Sequence, residues 1–460
     1  MGQTGIRDLQ DVVERLDKSN RLARVTSEVD PDFELAGIAA RFEGKPYAVM
    51  FENIKGRDHP LLTGLYWSRE MLADLMGVEE RELAAAILGK IQKWQSDPVP
   101  PEAVKSGPVL EITQNEVDLS RIPIPFHYLR DGGPYIDAGV VIATDPETGV
   151  RNASVQRFML IGKDKLVVSI DAGRHLELYL DKAKKQGKTL HLSLNIGVAP
   201  GLMFAAATPS AMAPADTDEL GIASEFEGRP VRLVPGTVCD VELAADANYA
   251  LECEIMPDEL VPEGPFAEVT GFYAGQFDKP VVNVRAVHHR QKPVFNTILS
   301  GIELYNLAGL LGEGAVLAML QRQVPGVKDV FFSHGGGGFY HAIVQMSQQK
   351  QGQSKAAIAA AFAAFASLKM VTIVDDDVDI YNASDVEWAM VERLDPMTGI
   401  VRIQEVFGHE LHPGFRGSVG TKVGFDATRP VPFTPDQDRI AYREVDLSKH
   451  KIAVPEPKQG

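Results

Sequence analysis

Cysteine is scarce. Two residues in 460, Cys239 and Cys253, exclude a disulfide framework and a cysteine-built zinc centre, and suit a reducing cytoplasm. Basic charge is short as well. Lys and Arg total 46 against 63 Asp and Glu, a net charge of -17. That balance argues against nucleic acid or an anionic membrane as a partner. Long apolar runs are missing: the longest small-apolar stretch, 356–368, lies between Lys355 and Lys369 and is too short to span a bilayer. It reads as a buried Ala-rich helix. Residues 1–8 carry no basic-then-apolar leader pattern, so no signal peptide is expected and the expected location is cytoplasmic.

Several motifs are absent too. No G-x-G-x-x-G opens a helix and no G-x-x-x-x-G-K-[ST] occurs, which leaves a dinucleotide fold and a P-loop unsupported. His334-Gly335-Gly336-Gly337-Gly338 looks like an esterase oxyanion loop. Without a G-x-S-x-G elbow it reads instead as a Gly-rich turn between two strands.

Hydrophobic residues at 45% and charged residues at 24% are ordinary for a globular protein, and the length suits two or three domains. Ile6, Leu9, Val13 and Leu16 predict an opening amphipathic helix. Strands over 22–29 and 47–51 flank a helix over 33–42. Ser68 is placed to cap a helix that Gly77 stops, and Leu83, Ile87, Ile91 and Trp94 mark another. The run Pro98-Val99-Pro100-Pro101, three of its four residues proline, then ends an N-terminal α/β segment, 1–100. A β-rich domain follows over 101–306, with strands at 140–143, 154–160, 167–170, 190–196, 231–234, 281–287 and 294–299. The last two flank Arg290-Gln291-Lys292 and predict a hairpin. A helix runs from Arg174 to a stop at Gly187. A strong helix, 307–320, lies in a connecting segment, 307–324. Strand–helix–strand alternation over 325–445 then predicts an α/β layer domain, before a polar tail, 446–460.

The chemistry concentrates at Pro262-Glu263-Gly264-Pro265-Phe266-Ala267-Glu268. A proline-set turn is stiff and holds two carboxylates five residues apart with an aromatic ring between them. Such a pair can raise one carboxyl pKa while its neighbour stays ionised, although Pro-Glu-Gly-Pro is also an ordinary surface turn. Arg157 lies on an apolar strand and needs a carboxylate partner from protein or ligand. His175, at the first turn of its helix, is either structural or a neutral imidazole ligand. Lys422 sits in the Gly-rich run 414–424, which suits a phosphate or a flexible surface loop. Asp375-Asp376-Asp377 with Asp379 reads as a divalent-ion site or an acidic strand end.

Together these segments resemble the UbiD-type decarboxylase family, which uses prenylated FMN. The matching pieces are Asn152-Ala153-Ser154-Val155-Gln156-Arg157, Arg174-His175, Glu219-Leu220-Gly221, the 263–268 stretch, the 375–379 acidic run and Lys422-Val423-Gly424-Phe425-Asp426. They fall in the family's order over nearly the whole chain. The resemblance implies an α+β protein: a β-rich, split-barrel-like cofactor domain, a connecting helix and a C-terminal α/β dimerisation domain. It implies a catalytic network of Arg157, Glu263 and Glu268, with Glu263 as proton donor. It implies Asn152, His175 and Glu219 as manganese ligands. Around prenylated FMN it places Asn152, Ser154, Val155, Gln156, Arg157, Arg174, His175, Thr208, Pro209, Glu219 and Lys422, with potassium as a further ion. The implied reaction is non-oxidative, reversible decarboxylation of an aromatic, heteroaromatic or α,β-unsaturated acid by covalent catalysis. A side chain cannot serve as electron sink for an sp2 carbanion, so a cofactor must. The implied partners are a flavin prenyltransferase that supplies the cofactor and further copies in a homodimer or hexamer. A non-catalytic subunit or an FMN-dependent reductase are the alternatives. Three positions depart from the family: Ala206 and Ala207 stand where relatives carry serines, and Asn248 replaces an acidic residue. Apolar Val269, Leu304 and Ala308, with no histidine over 300–306, point to indole-, pyrrole- or furan-type acids or an arylacrylate.

Overall fold

Helix boundaries follow their caps. Asp8 accepts the Asp11 N–H and opens Leu9–Lys18, and Ser68 accepts the Met71 N–H and opens Arg69–Met76, which Gly77 ends at φ 69°. A left-handed residue there favours glycine. The computed structural model describes residues 6–451 except 172, 211, 215, 410, 416, 444, 447 and 448. The expected tail therefore lies outside the described residues at 447, 448 and 452–460.

Strands Leu22–Val25, Ala48–Phe51 and Leu61–Thr63 form an N-terminal sheet. Its fourth strand is Phe295–Asn296, parallel to Leu61–Thr63. This corrects the predicted hairpin. Strand Phe277–His289 pairs instead with Tyr249–Glu263, and the chain at Arg290–Lys292 crosses from one sheet to another. Asn248 pins the crossing. Its Oδ1 accepts the Val294 N–H at 2.9 Å and Gln10 Nε2 at 2.9 Å, while its Nδ2 donates to the Gly197 carbonyl at 2.8 Å. An ionised acid could accept but not donate, so the departure at 248 has a structural cause.

The middle of the chain closes a barrel of six strands. The order is Tyr249–Glu263, Leu190–Ile196, Tyr135–Thr144, Arg151–Leu160, Lys165–Val168 and Phe277–His289, and the last pairs back onto the first. Helices His175–Lys185, Pro200–Ala206 and Leu220–Glu227 pack outside it. Helix Ile302–Gln323 connects to a five-stranded sheet, Val327–Phe332, His341–Met346, Met370–Asp375, Val419–Ala427 and Ile400–Phe407 in spatial order. The Gly-rich turn at His334 joins the first two of these strands, as expected. The α+β class with a β-rich barrel and a connecting helix is therefore observed. The connecting helix is long and apolar enough to cross a membrane by composition, yet 56% of its most apolar window is buried inside the fold.

Two sequence readings change. Lys422 is not on a surface loop: it is 1% exposed on the Val419–Ala427 strand. The acidic run is not a cation cage. Arg393 bonds Asp375 and Asp377 at 2.7–2.9 Å, and the Arg429 N–H reaches Asp375 at 2.8 Å. Guanidinium groups supply the positive charge that an ion would have brought.

Candidate active site

A cleft of about 640 Å³ opens between the barrel and the C-terminal domain. The barrel contributes 152–156 from strand Arg151–Leu160, together with Arg174, His175 and Glu268. The helix turn after Phe204 contributes Ala206, Ala207, Thr208 and Pro209, and Glu219 contributes from just before the first residue of the next helix. The opposite wall is apolar, with Val269, Leu304, Ala308 and Phe339. The two alanines therefore do face the cleft, where a serine would have offered a hydroxyl.

The network at the cleft floor is built on Arg157. Its Nε and Nη2 donate to the two oxygens of Glu263 at 3.0 and 3.1 Å, and its Nη1 donates to Glu268. The Tyr135 hydroxyl donates to Glu263 at 2.9 Å. The guanidinium lies 4.6 Å from the centroid of the Phe266 ring, a cation–π contact. Burial opposes the Arg157 charge, but its bonds to Glu263 and the field of both carboxylates outweigh burial and push its pKa up. Burial raises the Glu268 carboxyl above the ordinary carboxylate range, with Arg157 pulling it partly back. The two acids are not equivalent. Glu263 is 0% exposed and does not line the cleft; Glu268 does.

A second cluster stands on the same strand. Asn152 Nδ2 donates to Glu219 at 2.9 Å and lies 3.2 Å from His175 Nδ1, which is 3.3 Å from Glu219. The Ala153 N–H also reaches Glu219, at 3.2 Å. Asn152 Oδ1 is buried with no hydrogen-bond partner among the described residues. An orphaned amide oxygen beside an imidazole and a carboxylate is a donor set suited to a divalent first-row ion.

The comparisons decide the family. The chain matches the 3-octaprenyl-4-hydroxybenzoate carboxy-lyase family in three consecutive pieces: its N-terminal domain over 13–91, its Rift-related domain over 102–303 and its C-terminal domain over 305–427. This chain belongs to the UbiD decarboxylase family. It is 59% identical over 442 residues, 96% of each chain, to an uncharacterized protein in the cooM 5′ region of Rhodospirillum rubrum. It is 35% identical to the anhydromevalonate phosphate decarboxylase of Methanothermobacter thermautotrophicus, over 93% of this chain and 99% of that one. Among solved structures, the UbiD-class enzyme HmfF from Pelotomaculum thermopropionicum in complex with FMN superposes with a TM-score of 0.91. That pair is 34% identical and covers 96% of this chain and 100% of HmfF.

Within this UbiD carboxy-lyase, Asn152, Ser154, Val155, Gln156, Arg174, His175, Thr208, Pro209, Glu219 and Glu268 all line one cleft. Arg157 is not itself a lining residue and meets the cleft through its bond to Glu268. Lys422 stands behind the wall: its Nζ donates to the carbonyl of Ala366, a lining residue, at 2.7 Å. Burial lowers its pKa to about 8. Sequence reasoning missed the C-terminal lining, Phe339, 363–367, His409 and Leu411. The glycines before Phe339 marked a turn but gave no sign of where it docks. It also missed Tyr135, whose hydroxyl role depends on a contact 128 residues away.

Proposed function

We propose that the protein is a non-oxidative, reversible decarboxylase of an aromatic, heteroaromatic or α,β-unsaturated carboxylic acid that works with prenylated FMN and manganese. The observation that carries this reading is a guanidinium held between two carboxylates at the floor of a cleft with an apolar opposite wall. HmfF has been solved with FMN and, in an evolved dimeric form, with prFMN. When bound, the cofactor supplies the electron sink that no side chain offers. Asn152, His175 and Glu219 would hold the metal, and the orphaned Asn152 oxygen supports that fit. Arg174, exposed and without a side-chain hydrogen-bond partner among the described residues, lines the same cleft and suits the cofactor phosphate.

Arg157 keeps N–H donors beyond those given to Glu263 and Glu268, and these orient the substrate carboxylate. Carbon dioxide loss leaves a carbon that needs a proton. Glu268 delivers it, because it faces the cleft and its burial favours the protonated form that a general acid needs. Glu263, the donor expected from sequence, is instead the buried anchor that fixes Arg157. The apolar wall favours a flat ring or an alkene. The phosphorylated substrate named for the Methanothermobacter relative places phosphorylated acids in the test panel as well.

The test is to produce the protein together with a flavin prenyltransferase and record its absorbance and native mass. A bound species heavier than FMN by a prenyl group, with manganese, is expected, followed by carbon dioxide release from a panel of aryl, heteroaryl and acrylic acids. Plain FMN reduced by NAD(P)H, with no acid decarboxylated, would overturn the reading in favour of a reductase.

A further inference from the structure

Tyr340 carries a polar atom that the site described so far does not use. It follows the Gly-rich turn of the C-terminal domain, is 5% exposed, and its hydroxyl is buried with no hydrogen-bond partner among the described residues. A buried, unpaired hydroxyl forfeits its hydration with nothing in return, so it calls for a ligand or a moving partner. Tyr340 shares a buried apolar cluster with Val269, the residue after Glu268, and the turn before it lies against the Val269 carbonyl. A methyl group built on Gly337 would lie 3.1 Å from the Tyr340 ring and 3.6 Å from the Val269 carbonyl.

The other polar groups nearby are engaged. The Tyr305 hydroxyl donates to the Val269 carbonyl at 3.1 Å. His412, whose ring centroid is 5.0 Å from that of Tyr340, accepts the Gly414 N–H at Nδ1 and meets Lys369 Nζ at Nε2. His409 accepts the Leu411 N–H at Nδ1. Glu268 is different: Arg157 takes its Oε1, and among the described residues no donor reaches its second oxygen. After burial, the Glu268 charge is the largest influence on the Tyr340 hydroxyl.

We propose that Tyr340 is the second hydrogen-bond donor of Glu268, engaged when the carboxyl turns from Arg157 into the cleft, and so a positioning residue for proton delivery. This rests on Glu268 as the proton donor. The Arg157 bond favours the ionised form of that acid, against its burial. A neutral hydroxyl can orient it in the cleft without adding positive charge. The charged and titratable groups around Glu268 are Arg157 and Glu263 from the barrel strands, Asp171 from the loop before helix His175–Lys185, and Tyr340 with the cleft-lining His409 from the C-terminal domain. Arg174 lines the same cleft.

The experiment is an infrared difference titration of the carboxyl band that Glu268→Gln removes, on purified full-length protein. Losing a donor to the ionised form raises a carboxyl pKa, so Tyr340→Phe should move the Glu268 midpoint up by about one unit. Fluorotyrosine at position 340, a stronger donor that keeps the hydroxyl, should move it down. Midpoints unchanged in both proteins overturn the proposal. The titration needs no turnover. Proton delivery that survives in Glu268→Gln would therefore sink the donor role of Glu268, while the Tyr340 shifts would still report the contact.

Discussion

At the scale of single residues, Arg157 divides labour between two acids of the same type. Glu263 takes two guanidinium bonds and a phenol and is closed to the cleft; Glu268 takes one and is open. Only a group within reach of the substrate carbon can carry a proton to it. Glu268→Gln should therefore lower turnover by about 10³-fold, the scale of general acid catalysis, with the flavin cofactor retained in the native mass. Glu263→Gln should cost less in turnover and more in substrate KM, because it loosens the group that holds the carboxylate. Equal effects on both constants in the two variants would remove the distinction. The 263–268 spacing announced both acids in the sequence, as Asn152 and Arg157 announced their strand. Which acid faces substrate was not legible, because Tyr135 and the C-terminal wall decide it from far along the chain. Asn248 shows the same limit. Its donor and acceptor bonds reach Gln10, Gly197 and Val294, and no local pattern names such partners.

At the scale of elements, the connecting helix is held by a buried ion pair. Arg69, on helix Arg69–Met76, donates to both oxygens of Glu313 at 2.8 and 3.0 Å, and Glu313 also accepts the Phe332 N–H at 3.0 Å. Both side chains are nearly inaccessible, at 6% and 2%. Removing one partner strands the other charge, which typically costs about 3–5 kcal/mol, whereas replacing both with apolar residues is often neutral. Glu313→Ala should lower the denaturation midpoint sharply, and Arg69→Met with Glu313→Leu should recover most of the loss. A double variant as unstable as the single one would show that the pair does more than satisfy itself. The helix was legible from its apolar period, but the pair was not, since its members lie 244 residues apart. The failed hairpin has a similar cause. An apolar run at 294–299 has the same pattern whether it pairs with its sequence neighbour or with a strand of the N-terminal sheet, and the pairing is fixed only when the sheets assemble.

At the scale of the whole molecule, the junction between the N-terminal sheet, the barrel exit and the connecting helix is closed by one carboxyl. Glu303, 0% exposed, accepts from Thr63 Oγ1 at 3.1 Å and from the N–H groups of Tyr66 and Leu299 at 3.3 and 2.9 Å. Burial pushes its pKa up to about 8, the three donors pulling it partly back, from an ordinary value of 4.5. The sign follows from linkage. Between those values the folded protein keeps a proton that the unfolded chain releases, so the stability this group contributes is fully present below pH 4.5 and is lost as pH rises through 8. The slope is about 1.4 kcal/mol per pH unit for one proton. Denaturation midpoints of the wild type should therefore fall from pH 6 to pH 8, and Glu303→Gln, which keeps the shape and cannot ionise, should fall less steeply by about one proton's worth of slope. Parallel slopes in the two proteins would mean that Glu303 is already ionised in the fold, and that its three donors, not its proton, hold the units together at this corner.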